Sequence, residues 1–496
     1  MIRVGRLRLA VLVLALAGAV QPVTARAQLP SLGEGAEISA SAERRIGDRI
    51  ARELFRDPDF LDDAVLSDYV QSIWQPLLAA ARKRGDLAPD LDQRFAWQVL
   101  LGRDRSVNAF ALPGGWLGLH LGLVATTGTR DELASVMAHE LSHVTQRHIA
   151  RLVTQDKRQA PWMIGAMILG ALAASKSPQA GNAVIAGGQA MAMQNQLNFS
   201  REMEREADRI GFAIMTQAGF HPQGFTGMFE KLQQASRLND TGAYPYLRTH
   251  PMTTERVADM QSRQVLGDRG AAPRDLEHAM MAARSRTLSA PGVDGLRALQ
   301  KEAEALAPSA DAWRQAHALY ATAFASARLR DQPAADAALA RLAALALDDP
   351  RALRARQLLQ SEIALMAGNP RLARERLPSA EGGRAEVFMA AHIALESGQA
   401  ADALQRLQTW VALHPLDGSA WQLLARAAAA QQQPLRAVRA EAEAQVAWLD
   451  YQGAMDRLRA AQAMARQGGG DHIEASIIDT RARQVEALLR EQALER

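Results

Sequence analysis

The stretch SVMAHELSHVTQRH, residues 135–148, contains the side chains whose types and spacing could do chemistry. His139 and His143 are four residues apart, so on a helix both project from one face and can bind the same zinc ion. Zinc lowers the pKa of water, and the neighbouring Glu140 could take the proton while the water attacks a peptide carbonyl. The pattern H-E-x-x-H therefore predicts a zinc peptidase site with Glu140 as the general base. The alternative is an ordinary helix that carries histidines.

A catalytic zinc ion needs a third protein ligand, and FSREMEREADRIGF, residues 199–212, supplies candidates. Glu204 and Asp208 are four residues apart on a predicted helix, and small residues nearby would allow a close approach of another helix. Glu204 would complete a His-His-Glu site, and Asp208 could accept a hydrogen bond from the second ring nitrogen of a ligand histidine. The alternative is a charged, solvated helix face, which we expect for Glu202 and Glu206.

The helix that would carry the two histidines has its own sequence signals. Thr129 and Glu132 form a capping box, in which each side chain satisfies a free backbone amide at the start of a helix. Apolar residues at helical spacing follow and predict a buried face. At about 100° per residue, His148 would lie about half a turn away from His139. We therefore expect His148 on the surface, outside the site.

A small sheet is predicted just before this helix. FAWQVLLG (95–102) and SVNAFALPGG (106–115) have an extended pattern, and WLGLHLGLV (116–124) alternates leucine with other residues. A period of two is typical of a strand. The sequence Pro-Gly-Gly at 113–115 predicts the turn of a hairpin.

Residues 1–27 have the pattern of a secretory signal peptide. Arginines precede the apolar run LAVLVLALAGAV, and the sequence Ala-Arg-Ala at 25–27 is a cleavage site of the A-x-A type. We expect an exported protein of the periplasm; the alternative is a retained membrane anchor. The segment holds four arginines and no acid, so its removal changes the formal net charge from +3 to −1, and nucleic acid is not an expected partner. The absence of cysteine excludes disulfides and thiolate ligands.

The C-terminal part contains a degenerate helical repeat. Turn-like stretches at 330–338, 367–377, 396–407 and 431–440 lie about 30–37 residues apart, near the period of tetratricopeptide repeats. Pro415 and Trp421 would form a joint between two repeats, and residues 473–494 would form a capping helix. An irregular helical bundle is the alternative. The predicted division is a signal peptide at 1–27, a zinc metalloprotease domain at 28–270, a linker at 271–295 and a repeat domain with its capping helix at 296–496.

Three separated motifs resemble one family. HELSH, the upstream NAFALPGG and the downstream SREMEREAD are similar to the gluzincin-type CAAX prenyl endopeptidase and HtpX family, most specifically over residues 106–256. The resemblance implies one zinc ion per chain, held by His139, His143 and Glu204, with Glu140 as base. It also implies a mainly α fold with a small sheet, in which a gluzincin-type protease domain precedes a tetratricopeptide-repeat solenoid. For a periplasmic member it implies work on unfolded or misassembled outer-membrane proteins, with the assembly machinery bound through the repeats.

Two further segments could serve this site. In YLRTHPMTTERV (246–257), His250 and Arg256 occupy positions similar to the T-H-P segment of the family. His250 could stabilise the developing oxyanion or fill the open zinc position and silence the enzyme, and a plain loop histidine is the alternative. Residues 108–115 could offer a strand edge to an extended substrate, or be a simple turn.

The sequence supports two functions from different classes. One is a periplasmic zinc metalloendopeptidase that cleaves clients captured by the repeats. The other is a chaperone or scaffold in which proteolysis is minor or latent. The apolar, methionine-rich stretch 161–193 fits protein core, or else an adaptable lid or a patch that touches the membrane.

Overall fold

Helices make up most of the structure, and its strands form one small sheet. The computed structural model describes residues 38–155, 200–237, 243–263, 275–307, 309–345, 348–378, 382–467 and 471–493. The N-terminal elements are α1 (Ala40–Arg56), β1 (Phe60–Leu61), α2 (Ala64–Arg84), α3 (Pro89–Arg94), β2 (Gln98–Gly102), β3 (Ala109–Leu112), β4 (Trp116–His120), α4 (Leu121–Thr126), α5 (Arg130–Thr145), α6 (His148–Gln155), α7 (Arg201–Gln217), α8 (Gln223–Arg237), α9 (Tyr246–Thr249) and α10 (Thr254–Ser262). The C-terminal elements are α11 (Leu276–Leu288), α12 (Gly292–Gln300), α13 (Ala312–Arg328), α14 (Gln332–Ala343), α15 (Pro350–Met366), α16 (Pro370–Arg376), α17 (Arg384–Glu396), α18 (Ala400–Leu413), α19 (Gly418–Ala430), α20 (Pro434–Ala447), α21 (Tyr451–Arg466) and α22 (His472–Ala493). The predicted class, mainly α with a small sheet, is confirmed.

The sheet has the strand order β1-β2-β4-β3, so β3 lies at one edge. Strands β2 and β4 are parallel, with Gln98 opposite Trp116, and β3 and β4 are antiparallel, with Ala111 opposite Leu117. The predicted hairpin therefore forms, and the turn Pro113–Gly115 links its strands. Both glycines of this turn have positive φ, a conformation that other residues rarely adopt.

The strand predicted from the alternating leucines is shorter than expected. Strand β4 ends at His120, and the leucines that follow belong to helix α4. A Cβ atom at Gly122 would lie 2.0 Å from the carbonyl oxygen of Arg105, so α4 packs directly against the preceding loop. The side chains of residues 121–124 are all buried. In a fully buried segment, alternation does not distinguish a strand from a helix.

Helix α5 carries the H-E-x-x-H residues and lies at the centre of this part of the fold. Its side chains are all buried from Asp131 to Thr145, because α7, α8 and β3 pack around it. The predicted cap forms at its start, where the Thr129 hydroxyl accepts a hydrogen bond of 3.1 Å from the Glu132 amide. The Glu132 carboxylate accepts from the amide of Gly128, one residue earlier than a standard capping box.

The C-terminal helices from α13 to α22 pack in chain order, each against the next. This arrangement is consistent with the predicted solenoid, and the assignment to tetratricopeptide repeats stays a prediction. At the predicted joint, the Trp421 indole donates a hydrogen bond of 2.9 Å to the Pro415 carbonyl. Helix α22 packs against α20 and α21 through Ile478 and Val485, and its role as a capping helix stays a prediction.

The segment predicted as a linker, residues 271–295, holds the buried helix α11. This helix packs against α4, α13 and α15. Its His278 lies 2.5 Å from the Tyr69 hydroxyl through Nδ1 and 2.8 Å from the Thr127 carbonyl oxygen through Nε2. One hydrophobic cluster continues from α2 as far as α17. The predicted protease and repeat regions thus share a core, and the boundary between them stays a prediction.

Three arginines, Arg284, Arg354 and Arg384, join the C-terminal helices to the start of α2, and we call them the arginine ladder. Each arginine pairs with one aspartate near the start of α2 and with one acid of the C-terminal part. The pairs are Arg284 with Asp63 (2.6 Å) and Glu362 (2.7 Å), Arg354 with Asp68 (2.6 Å) and Glu386 (2.5 Å), and Arg384 with Asp62 (2.6 Å) and Asp417 (2.7 Å). The ladder joins the C-terminal helices to residues 62–68, at and just before the start of α2.

Two predicted segments lie outside the described residues. These are the signal peptide at 1–27 and the apolar stretch 161–193, and their interpretations stay predictions. Among the helices of the described ranges, none has the length and apolar character needed to cross a bilayer.

We expect Arg284→Ala to destabilise the protein by about 3–5 kcal/mol, because Arg284 is 3% exposed and its loss leaves two carboxylates without a counter-charge. Urea unfolding followed by circular dichroism would measure the change. The matched control is Arg297→Ala, since Arg297 is 66% exposed and pairs with an exposed aspartate; its effect should stay below about 0.5 kcal/mol. Equal effects of the two substitutions would contradict a structural role of the ladder.

Candidate metal centre

His139 and His143 lie one turn apart on α5, and both rings are buried. Their Nε2 atoms are 3.0 Å apart and point into the same space. The predicted pair of histidine ligands is therefore brought together on one face of the helix.

Glu204 reaches the same space from α7. Its Oε2 lies 3.6 Å from Nε2 of His139, and its Oε1 lies 3.4 Å from Nε2 of His143. Helix α7 can come this close because a Cβ atom at Gly211 would already lie 3.0 Å from the backbone nitrogen of His139. The start of α7 is fixed by Ser200, whose hydroxyl accepts from the Met203 amide. The three residues predicted as zinc ligands thus converge.

His250 is buried in the same cluster. Its Nδ1 lies 3.3 Å from Nε2 of His139 and 3.0 Å from Oε1 of Glu204. The Tyr246 ring stacks on the imidazole with 4.5 Å between ring centroids. One ligand atom from each of His139, His143, Glu204 and His250 lies within 4.8 Å of the others. His250 therefore lies among the predicted ligands, and its role there stays a prediction.

Asp208 lies behind His139, one turn after Glu204. Its Oδ1 is 2.9 Å from Nδ1 of His139, the ring nitrogen that faces away from the cluster. The Arg256 guanidinium donates two hydrogen bonds to Asp208, of 2.7 and 2.8 Å, and lies 2.7 Å from Glu204. Asp208 is therefore placed where the sequence predicted it, and Arg256 holds both acids.

His148 is fully buried, and the prediction of a surface histidine is wrong. Helix α5 ends at Thr145, and Arg147 has a φ of 53°, which interrupts the helix before α6. The rotation expected for one continuous helix therefore does not apply. Nδ1 of His148 lies 2.8 Å from Nδ1 of His143. Helix ends are the feature of a helix that sequence fixes least well, so no signal in the sequence located this contact.

Glu206 was expected on a solvated face, and it is only half-exposed. Its Oε2 lies 3.1 Å from Nε2 of His148 and 3.0 Å from the Arg151 guanidinium. Burial lowers the pKa of His148 to about 4, so the ring is neutral at pH 7. Glu202, by contrast, is exposed as expected.

Glu140 is buried between the histidines and the edge strand. Its Oε2 accepts a hydrogen bond of 2.9 Å from the amide of Ala111 in β3. Its Oε1 lies 3.4 Å from Nε2 of His250 and accepts no hydrogen bond from the described residues. The carboxylate predicted as the base is thus beside the ligand cluster, with one oxygen still able to accept a proton.

Burial and neighbouring charges set the protonation states. Burial lowers the pKa of His143 well below its usual value, so the ring is neutral. Burial alone would raise the pKa of Glu204, but His250, hydrogen bonds and Arg256 hold it well below its usual value. Burial raises the pKa of Glu140. The carboxylates of Glu204 and Glu140 raise the pKa of His250 against the effect of burial.

These side chains fit a zinc ion. Imidazole nitrogens and a carboxylate oxygen are its usual ligands. The buried Nε2 atoms of His139 and His143 face one another, and a bound cation would satisfy the lone pairs of both. A carboxylate in the Asp208 position is the usual partner of the second nitrogen of a zinc-bound histidine.

Comparison with known proteins points the same way. The model of peptidase family M48 matches residues 69–264, which include every member of the cluster. The chain is 34% identical over 241 residues to the beta-barrel assembly-enhancing protease of Escherichia coli and 35% identical over 237 residues to that of Yersinia pestis; each alignment covers 47% of both proteins. It is 30% identical over 201 residues to the mitochondrial metalloendopeptidase OMA1 of Arabidopsis thaliana, covering 40% of this chain and 36% of that protein.

The chain spans about half the length of the bacterial relatives it matches. The comparisons confirm the predicted resemblance to a metalloprotease family. They also support the prediction of a metalloprotease, and they leave the individual roles of the site residues as predictions.

Proposed function

We propose that this chain, whose residues 69–264 match the model of peptidase family M48, is a zinc-dependent metalloendopeptidase. The observation that carries the proposal is the convergence of His139, His143 and Glu204 in one buried site, with the Glu140 carboxylate beside them. His139, His143 and Glu204 would hold one zinc ion. When bound, zinc acts as a Lewis acid that polarises the substrate carbonyl and makes water more acidic.

The protein's own part in the reaction falls to Glu140. Its Oε1 takes a proton from the attacking water and passes it to the leaving amine. The raised pKa of Glu140 suits this role, because a base works best when its pKa lies near the working pH. Asp208 and Arg256 keep the ligands in place through the ring nitrogen of His139 and the carboxylate of Glu204.

The substrate would lie along β3. This strand is at the edge of the sheet, and its Ala111 amide points at Glu140 and away from β4. An extended peptide can add to such an edge through backbone hydrogen bonds. This position would bring the scissile carbonyl next to the base.

His250 would fill the fourth position of the metal site and keep the enzyme latent. Its Nδ1 lies as near to the other ligands as they lie to each other. A catalytic zinc site needs one position free of protein ligands. The second role, stabilising the oxyanion, requires the ring to turn away from the ligands.

The biological role that we propose follows the two bacterial relatives, which are named for beta-barrel assembly. Clients would be outer-membrane β-barrel proteins that remain unfolded or misassembled in the periplasm. The repeats would bind them or the assembly machinery, and peripheral membrane contact would involve residues 161–193. The pattern of residues 1–27 supports export.

A second candidate function is a chaperone or scaffold for the same clients. The buried His250 in the cluster favours it, because a latent enzyme would mainly bind. The two functions differ in whether cleavage depends on Glu140.

We expect Glu140→Gln to lower casein cleavage by about 10²–10⁴-fold, the usual contribution of a general base. Cleavage by the zinc-loaded protein would be measured with and without His250→Ala, so that latency cannot hide the effect. Metal analysis should still find one zinc ion, since glutamine at 140 removes no ligand. Glu202→Gln, an exposed change on α7, is the control and should cleave like the parent.

Three outcomes separate the hypotheses. Equal cleavage by the parent and Glu140→Gln would rule out the proposed base. Retained binding of a urea-denatured outer-membrane β-barrel protein by Glu140→Gln, with cleavage lost, would support the peptidase. Binding without any cleavage in either background would favour the chaperone.

We expect His250→Ala to raise casein cleavage, because it opens the fourth position and leaves His139, His143 and Glu204 to hold zinc. The control is Arg248→Ala, an exposed residue two positions earlier. A fall in cleavage would instead indicate oxyanion stabilisation, and an unchanged rate would show that both roles are wrong.

A further inference from the structure

The face of His143 that points away from the cluster contacts a chain of polar side chains that the proposed reaction does not use. Nδ1 of His143 lies 2.8 Å from Nδ1 of His148. Nε2 of His148 lies 3.1 Å from Oε2 of Glu206, which also accepts from Arg151 at 3.0 Å. His143 and His148 are fully buried, and Arg151 and Glu206 reach the surface.

Hydrogen-bond chemistry fixes the direction of this chain. Two ring nitrogens 2.8 Å apart need one hydrogen between them, so one donates and the other accepts. His143 turns Nε2 towards the ligand cluster, where its lone pair is needed, so its Nδ1 carries the hydrogen. Nδ1 of His148 must then accept, and Nε2 of His148 donates to the Glu206 carboxylate.

We propose that His148 and Glu206 are positioning residues for the metal centre, which lock the tautomer and the ring orientation of His143. This inference rests on the proposed zinc site but not on peptidase activity. Metal-binding histidines commonly donate their second ring N–H to such a partner, and its loss typically weakens metal binding.

The arrangement repeats on the other ligand. Nδ1 of His139 faces Asp208, which Arg256 holds. Nδ1 of His143 faces His148, which Glu206 and Arg151 hold. Each proposed ligand histidine thus contacts an acceptor through Nδ1, and each of these series of polar side chains includes a carboxylate and ends at an arginine.

One helix supplies the acids of both chains. Glu204, Glu206 and Asp208 all lie within the first eight residues of α7, so one short stretch carries the proposed ligand and both outer carboxylates. Any shift of α7 would move the metal ligand and both anchors together.

The residue before α6, Arg147, helps to position His148. Arg147, at a φ of 53°, separates α5 from α6, and its guanidinium pairs with the buried Glu43 of α1 at 3.0 Å. It also bonds the Ile38 carbonyl. A left-handed non-glycine residue has a conformational cost, which these contacts offset.

Zinc affinity tests the proposal directly. Dissociation constants would be measured for the full chain by competition with a chromophoric chelator. We expect His148→Leu, which fills similar space without an acceptor, to weaken zinc binding about 10- to 100-fold. His148→Asn places an amide oxygen near the lost Nδ1 and should restore binding to within a few-fold of the parent. Glu206→Gln should lose several-fold, and Glu202→Gln, exposed on the same helix, nothing.

A second readout separates positioning from a general effect on folding. The visible absorption spectrum of the cobalt-substituted protein reports ligand geometry, and we expect it to change in His148→Leu and to recover in His148→Asn. Circular dichroism of the zinc-free variants checks that each is folded. If His148→Leu does not fold, the zinc affinity and cobalt spectrum of Glu206→Gln test the inference instead. The side chain of Glu206 reaches the surface, so this substitution should not prevent folding.

Parent-like zinc affinity and cobalt spectra in His148→Leu or, failing that, Glu206→Gln would overturn the inference, as would equal losses in His148→Leu and His148→Asn. A parent protein that binds no zinc would overturn the proposed metal centre as well. Zinc binding that depends on His148, with casein uncleaved even in the His250→Ala background, would keep this inference and count against the peptidase alone.

Discussion

The carboxylate of Glu204 lies buried between α5 and α7, where it reaches the ring nitrogens of His139 and His143. It must stay charged in this buried position. An unpaired buried carboxylate costs several kcal/mol. Arg256, at 2.7 Å, supplies the counter-charge, and Asp208 with the Pro251 carbonyl fixes Arg256 in turn. The fold therefore has to bring the segment after α9 against α7, and the same packing buries His250 in the cluster.

The separation of α5 and α7 sets the geometry of the site as firmly as the charges do. The residue that permits it, Gly211, has no functional group, yet a side chain there would meet the backbone of His139. The edge strand completes the enclosure, since its Ala111 amide holds Glu140. Packing, hydrogen bonding and charge thus act on one small buried volume, where electrostatic interactions are stronger than in bulk water.

Short sequence patterns predict the features of this structure that depend on neighbouring residues. The spacing of His139 and His143, the cap at Thr129 and the turn at 113–115 each depend on a few neighbouring residues, and each forms as predicted. Glu204 and Asp208 also lie beside these histidines, as the helical spacing predicts, and their roles stay predictions. The helical rotation does not predict the position of His148, because Arg147 interrupts the helix. The alternation of leucines does not reveal α4, because both faces of this helix are buried. The arginine ladder joins residues more than 200 positions apart, and no local pattern encodes that.

The arginine ladder has a consequence for how this chain can change during evolution. Each of the three arginines pairs with an aspartate within residues 62–68. Two of these aspartates precede α2, and the third lies in its second turn. Inserting one residue between Asp63 and Asp68 would rotate the latter by about 100° around the helix and break one rung while the others stay. Substitutions elsewhere on α2 leave the register intact. Length in this short segment is therefore under tighter constraint than composition, and insertions should be tolerated in the loops between repeat helices but not here.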